Sequence, residues 1–282
     1  MTLAREPAAI LAELDARARR IETPCGEGSM VWRVWGEGEP LVLGHGAQGS
    51  WQHWVRNIDA YVAAGRMVIA LDLPGHGDSA MPARSDHAGV AGPMAHGLRE
   101  ILGARLPVDI CGFSLSGTAF AYMAAFHPGV ARRLVLVGCG GLDTPHGAID
   151  LGRVSGLTGE ARRARLKANL NGLMLHDPDS ADDLAIAMLL PNAKAARLDI
   201  SGFVLPDKLL RILPEVAAPV DAIWGEFDRP HPDPAMQEAA LRSVRPQAGF
   251  RVVEGAGHWA MYERPAAFDA ALLGILATPP TG

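Results

Sequence analysis

The chain has 282 residues, 49% of them hydrophobic, and a formal net charge of −5. This size suits one large domain with room for an inserted subdomain. The mild acidity excludes a polyanion-binding surface as the main feature, so no nucleic acid and no membrane is expected among its partners.

Residues 1–6 carry no signal-peptide apolar run, which makes a cytoplasmic location the expectation. No stretch reaches the roughly 20 apolar residues of a membrane span. Cys25, Cys111 and Cys139 are too scattered for a metal pattern or a disulfide framework. Residues 7–20 read as an amphipathic helix with Ile10, Leu11 and Leu14 on one side. Residues 30–35 alternate as a strand, and the apolar run 41–43 ends in Gly44-His45-Gly46. Residues 51–64 read as a helix. The strand 67–71 leads into Asp72-Leu73-Pro74-Gly75-His76-Gly77-Asp78-Ser79. A helix over 88–103, a strand from Val108 to Cys111, a helix over 116–126 and a strand over 134–137 follow. Short apolar strands alternating with helices predict an α/β fold, with a mainly parallel sheet covered on both faces.

From about Gly140 to Pro214 the strand pattern stops. Helices are expected over 159–172, over 180–190 behind a serine cap, and over 191–203 and 206–213, each opened by a proline. This block, residues 142–214, reads as a helical cap inserted between core segments 1–141 and 215–282. Strands over 219–224 and 250–253 and a helix over 263–277 complete the chain.

Gly112-Phe113-Ser114-Leu115-Ser116-Gly117 follows the strand that begins at Val108. A serine at a sharp strand-to-helix turn, with small residues two places either side, fits a nucleophile elbow. A frame centred on Ser116 would need a small residue at the β-branched Thr118. A serine hydroxyl needs an adjacent base, and the base needs an acid to orient it. Asp228 and His258 both follow late strands, in the chain order Ser, Asp, His. Glu226 and Asp233 are rivals for the acid, although Asp233 in Pro232-Asp233-Pro234 suits a helix start. His76 and Asp78 read as holders of their own turn.

These motifs in this order resemble the α/β-hydrolase superfamily over roughly residues 25–277. The resemblance implies the α/β-hydrolase fold, a mostly parallel eight-stranded sheet flanked by helices with an inserted helical cap. It implies a Ser114–His258–Asp228 triad and an oxyanion hole from the N–H groups of Ala47 and Leu115. It implies no cofactor. The closing motif Gly257-His258-Trp259-Ala260-Met261-Tyr262-Glu263 is similar to that of meta-cleavage product hydrolases, which cut carbon–carbon bonds in vinylogous 1,5-diketones. In that branch Arg197 would partner a substrate carboxylate. The loop His45-Gly46-Ala47-Gln48-Gly49-Ser50-Trp51 and the pair Leu115-Ser116 depart from it.

The expected activity is therefore that of an esterase-like serine hydrolase acting on an ester or related acyl bond of a small, fairly apolar carbonyl substrate. Carbon–carbon cleavage of a diketone is the alternative, and a small-ligand receptor or a non-hydrolytic lyase is the rival of another class. Gly46, Met174, Met188, Arg197, Phe203 and Trp259 are the candidate pocket residues. Met174, Met188 and Phe203 fit the cap's own core equally well. The sequence leaves the oligomeric state open.

Overall fold

The computed structural model describes residues 6–278. Most of the start read for a missing leader, residues 1–5, lies outside the described residues. After the helix α1 (Pro7–Ala16) come the strands β1 (Arg19–Cys25), β2 (Gly28–Trp35) and β3 (Glu39–Gly44). Next are α2 (Ile58–Ala63), β4 (Arg66–Leu71), α3 (His87–Leu102) and β5 (Val108–Phe113). The elements α4 (Leu115–Phe126), β6 (Ala131–Val137), α5 (Gly159–Leu173), α6 (Asp183–Ala195) and α7 (Lys208–Ile212) follow. The chain closes with β7 (Val220–Gly225), α8 (Pro234–Val244), β8 (Gly249–Val253), α9 (Ala260–Glu263) and α10 (Pro265–Ala277).

The strands form one eight-stranded sheet in the order β1-β2-β4-β3-β5-β6-β7-β8. Pairing is antiparallel for β1–β2 and β2–β4 and parallel from β4 to β8. In the central strands the runs 41–43, 67–71 and 134–137 are buried and wholly apolar because both faces are covered. Side-chain alternation sorts them into two cores. Val42, Ile110, Leu134 and Leu136 face α3 and α4, whereas Leu41, Leu43, Cys111, Val135 and Val137 face the side closed by α10. Phe268, Leu272 and Ile275 line one stripe of α10, at the spacing of successive helical turns.

Several boundaries differ from the sequence reading. The first helix stops at Ala16, and residues 19–25 form an edge strand on β2. The charges in Arg19-Arg20-Ile21-Glu22 hid it, but an edge strand tolerates them because half its surface faces water. Residues 51–64 divide into a 3-10 turn (Trp51–Trp54) and α2, because Asn57 between them gives its side chain to Met261 O and Asp269. Asp182 rather than Ser180 caps α6, accepting from Ala185 N. That helix runs through Pro191 to Ala195, so no separate helix covers 191–203. Beyond it the chain is tied down differently, with the Arg197 N–H donating to Gly75 O. Arg264 separates α9 from α10, and Pro265 starts the latter. Among the described residues no helix is long and apolar enough to cross a membrane.

Candidate active site

The elbow is built by the tight crossing of β5 and α4. Ser114 sits between them at φ 52°, a left-handed conformation that a non-glycine residue adopts only under constraint. Its N–H donates to Val137 O at 2.8 Å. A Cβ on residue 112 would lie 2.7 Å from the Gly117 backbone, so only glycine fits there. Ser116 is buried and spends its hydroxyl on Phe113 O at 3.0 Å. Ser114 is thus the serine presented at the strand end.

His258 Nε2 lies 3.2 Å from Ser114 Oγ, and its Nδ1 lies 2.8 Å from Asp228 Oδ2. Asp228 is fully enclosed, and its Oδ1 accepts the His231 backbone N–H at 3.0 Å. Burial opposes its charge, yet His258 and His231 beside it hold the carboxyl at about 2. The rivals are occupied elsewhere. Glu226 accepts from Gly255 N, and Asp233 caps α8 through Met236 N.

The loop carrying His258 is anchored by Glu263, a role the sequence reading did not assign although it quoted the residue. This buried carboxylate accepts the N–H groups of Gly257, His176 and Asp177. Such a set of charge-assisted bonds fixes the loop more firmly than a surface ion pair could.

The loop after β3 passes beside the elbow. A Cβ on Gly46 would stand 3.3 Å from Ser114 Cβ. Two neutral imidazoles shape this loop. His45 Nε2 accepts from Leu73 N at 2.9 Å, so its proton sits on Nδ1 and is donated to Gly46 O at 2.7 Å. His53 Nδ1 accepts from Gly46 N at 3.2 Å. Burial lowers His45 to about 4 and His53 well below the usual imidazole range. Among the described residues neither the Ala47 N–H nor the Leu115 N–H donates to a turn or loop carbonyl.

A cavity of about 190 Å³ opens beside Ser114, His258, Gly46, Ala47 and Leu115. Its walls are mostly apolar, from Ile149, Leu173, Met174, Ile200, Val204 and Leu205, and among the described residues no Arg or Lys lines it. Asp228, His231 and His258 are the residues spaced to hold a metal ion, but Asp228 and His258 already face each other in a hydrogen bond within an enclosed site.

Residues 41–271 match the alpha/beta hydrolase family. The chain belongs to the α/β-hydrolase family. A 2-hydroxy-6-oxononadienedioate/2-hydroxy-6-oxononatrienedioate hydrolase of Paraburkholderia phymatum is 30% identical over 84% of this chain and 87% of its own. A 2-hydroxy-6-oxo-6-phenylhexa-2,4-dienoate hydrolase of Burkholderia cepacia is 28% identical, covering 86% of this chain and 89% of its own. The esterase RhEst1 of Rhodococcus sp. ECU1013 has a similar structure, with a TM-score of 0.73 and 25% identity over 92% of this chain and 99% of that one.

In this α/β-hydrolase four expected pocket residues lie away from the cavity. Met188 is packed in the core between α6 and the sheet side closed by α10. Phe203 is buried against His87. Trp259 is enclosed, with Nε1 donating to His53 O and its ring stacked on Tyr262. The Arg197 guanidinium is committed to the carbonyls of Gly77 and Ser79, where it pins the loop after β4. Of the cap candidates only Met174 reaches the cavity. His231 also lines it, a residue the sequence analysis did not single out. Its signal was the spacing, three residues after the candidate acid.

Proposed function

We propose that the chain is a serine hydrolase that attacks a carbonyl carbon through Ser114, and that it breaks the adjacent carbon–carbon bond of a small, largely apolar diketone. The first part rests on the continuous contact from Ser114 through His258 to Asp228. The second rests on the curated relatives, named as hydrolases of 2-hydroxy-6-oxo dienoates over most of this chain's length.

In this reading His258 takes the Ser114 proton as Oγ adds to the carbonyl. Asp228 keeps the imidazole proton on Nδ1 and stabilises the imidazolium. The unengaged N–H groups of Ala47 and Leu115 receive the developing oxyanion. Collapse breaks the bond, and His258 hands its proton to the leaving carbon, whose charge the substrate's own conjugation spreads. Water activated by His258 then clears the acyl-enzyme. The segment 142–214 acts as a cap that selects substrates, while the chemistry stays on the sheet edge.

Ester hydrolysis is the second reading, by the same steps with an alkoxide leaving. The mostly apolar lining favours it, since among the described residues no Arg or Lys lines the cavity and Arg197 is tied to backbone carbonyls. A panel of vinylogous diketones and short-chain esters, with and without a carboxylate, decides between them. Faster turnover of the diketones upholds the first reading, and turnover restricted to uncharged esters upholds the second. Ser114→Ala should lower kcat on the order of 10⁶-fold in either case, and should abolish labelling by a fluorophosphonate. Full activity in that variant would remove the nucleophile assignment.

A further inference from the structure

Asp228 holds two imidazoles. Its Oδ2 meets His258, while its Oδ1 accepts the His231 backbone N–H and lies 3.3 Å from His231 Nδ1. That second contact is too bent for a hydrogen bond, and Nδ1 is otherwise enclosed without a partner. A bare Nδ1 lone pair facing a carboxylate oxygen would be repelled, so the proton belongs on Nδ1. Nε2 is then an acceptor. Of the two ring nitrogens only Nδ1 is both enclosed and unpartnered. Nε2 lies beside Gly140, where an added Cβ would come within 3.0 Å of it, and both residues line the cavity.

His231 is therefore oriented like His258, but no serine occupies its Nε2. Trp224 and His146 meet its ring edge-on with centroids 6.2 and 5.5 Å away, and His258 is turned to Ser114. The two imidazole centroids are 5.6 Å apart. In the proposed mechanism His258 protonates the leaving atom, and the ring next to it lines the same cavity.

We propose that His231 Nε2 accepts a hydrogen bond from a hydroxyl carried on the leaving half, and so selects substrates that bear one there. The proposal rests on Ser114 being the nucleophile of a hydrolase. In a cavity with apolar walls a hydroxyl would otherwise be penalised, because it loses water and finds no partner. His231 reverses that penalty.

The test is protection of Ser114 from a fluorophosphonate by ethyl hexanoate and by 2-hydroxyethyl hexanoate, which share an acyl group and differ by one hydroxyl. The hydroxyethyl ester should halve the labelling rate at a concentration roughly threefold to tenfold lower, the span of a neutral hydrogen bond. His231→Leu should erase the difference or invert it. Gly140→Ala should do the same by covering Nε2, without touching either Asp228 contact. Equal protection by the two esters in the parent protein overturns the proposal. So does a difference that persists in whichever variant folds. Failure of the fluorophosphonate to label Ser114 at all would instead remove the hydrolase reading, and this selection with it.

Discussion

The floor and the roof of the cavity are held in different ways. On the floor, Ser114 is locked by the crossing of β5 and α4, Asp228 is enclosed, and Glu263 gathers three N–H groups around the His258 loop. On the roof, residues 143–157 form neither helix nor strand, with anchors such as Asp143 N to Pro206 O and Gly147 N to Pro230 O. Ile149 and Leu205 line the cavity from this side and stay 37% and 45% exposed. The groups that need ångström precision sit where the sheet dictates backbone conformation. The groups that meet a variable substrate sit on chain that can be altered at little cost to the fold.

The sharpest way to break this comparison is at the floor. Asp228→Asn should reduce kcat on the order of 10⁴-fold, because an amide permits the wrong imidazole tautomer. Glu226→Gln and Asp233→Asn should leave kcat nearly intact, as both carboxylates accept backbone N–H groups instead of the imidazole. Steady-state kinetics on the best substrate of the panel checks this. Comparable damage from Asp233→Asn would move the acid.

Met188, Phe203 and Met174 sharpen it next, since they look alike in sequence and differ in place. Met188→Ala and Phe203→Ala should each cost about 2–5 kcal/mol of stability, as buried large-to-small changes do, and leave the order of preferred substrates unchanged. Met174→Ala should instead shift the ranking of substrates by about 1–3 kcal/mol in kcat/KM. Denaturant melts and a substrate panel run on all three variants separate the two outcomes. A changed ranking in Met188→Ala would place that residue in the working pocket.

The last expected effect concerns pH. Burial lowers His45 and His76 from 6.5 to about 4. Between these values the unfolded chain binds protons that the folded rings refuse. Stability should therefore fall as pH drops below about 7 and level off below about 4, by about 3 kcal/mol per histidine at most. Asp228, held at about 2 against 3.8, adds a separate loss only below about pH 4. Protonated His45 could no longer accept from Leu73 N, so the loop after β3 should loosen only near and below pH 4. Denaturation midpoints measured from pH 7 to pH 4 test the slope. A flat profile would show that the two rings charge freely in the folded state.

Local pattern determined a great deal of this protein. The apolar runs at 41–43, 67–71 and 134–137 read as buried strands alternating with helices, and all three lie inside the sheet with both faces covered. The small residues around Ser114 dictated the elbow, because a Cβ at position 112 has nowhere to go. Tertiary structure decided the rest. The strand Arg19–Cys25 pairs only because β2 lies beside it. The helix through Pro191 persists, although its proline suggested a fresh start. Which apolar residues of the segment 142–214 see substrate was not readable, since pocket and core draw on the same residue types and differ only in what lies opposite. Arg197 illustrates the same limit, for a guanidinium serves a carbonyl as readily as a carboxylate, and only the fold supplied the carbonyls of Gly77 and Ser79.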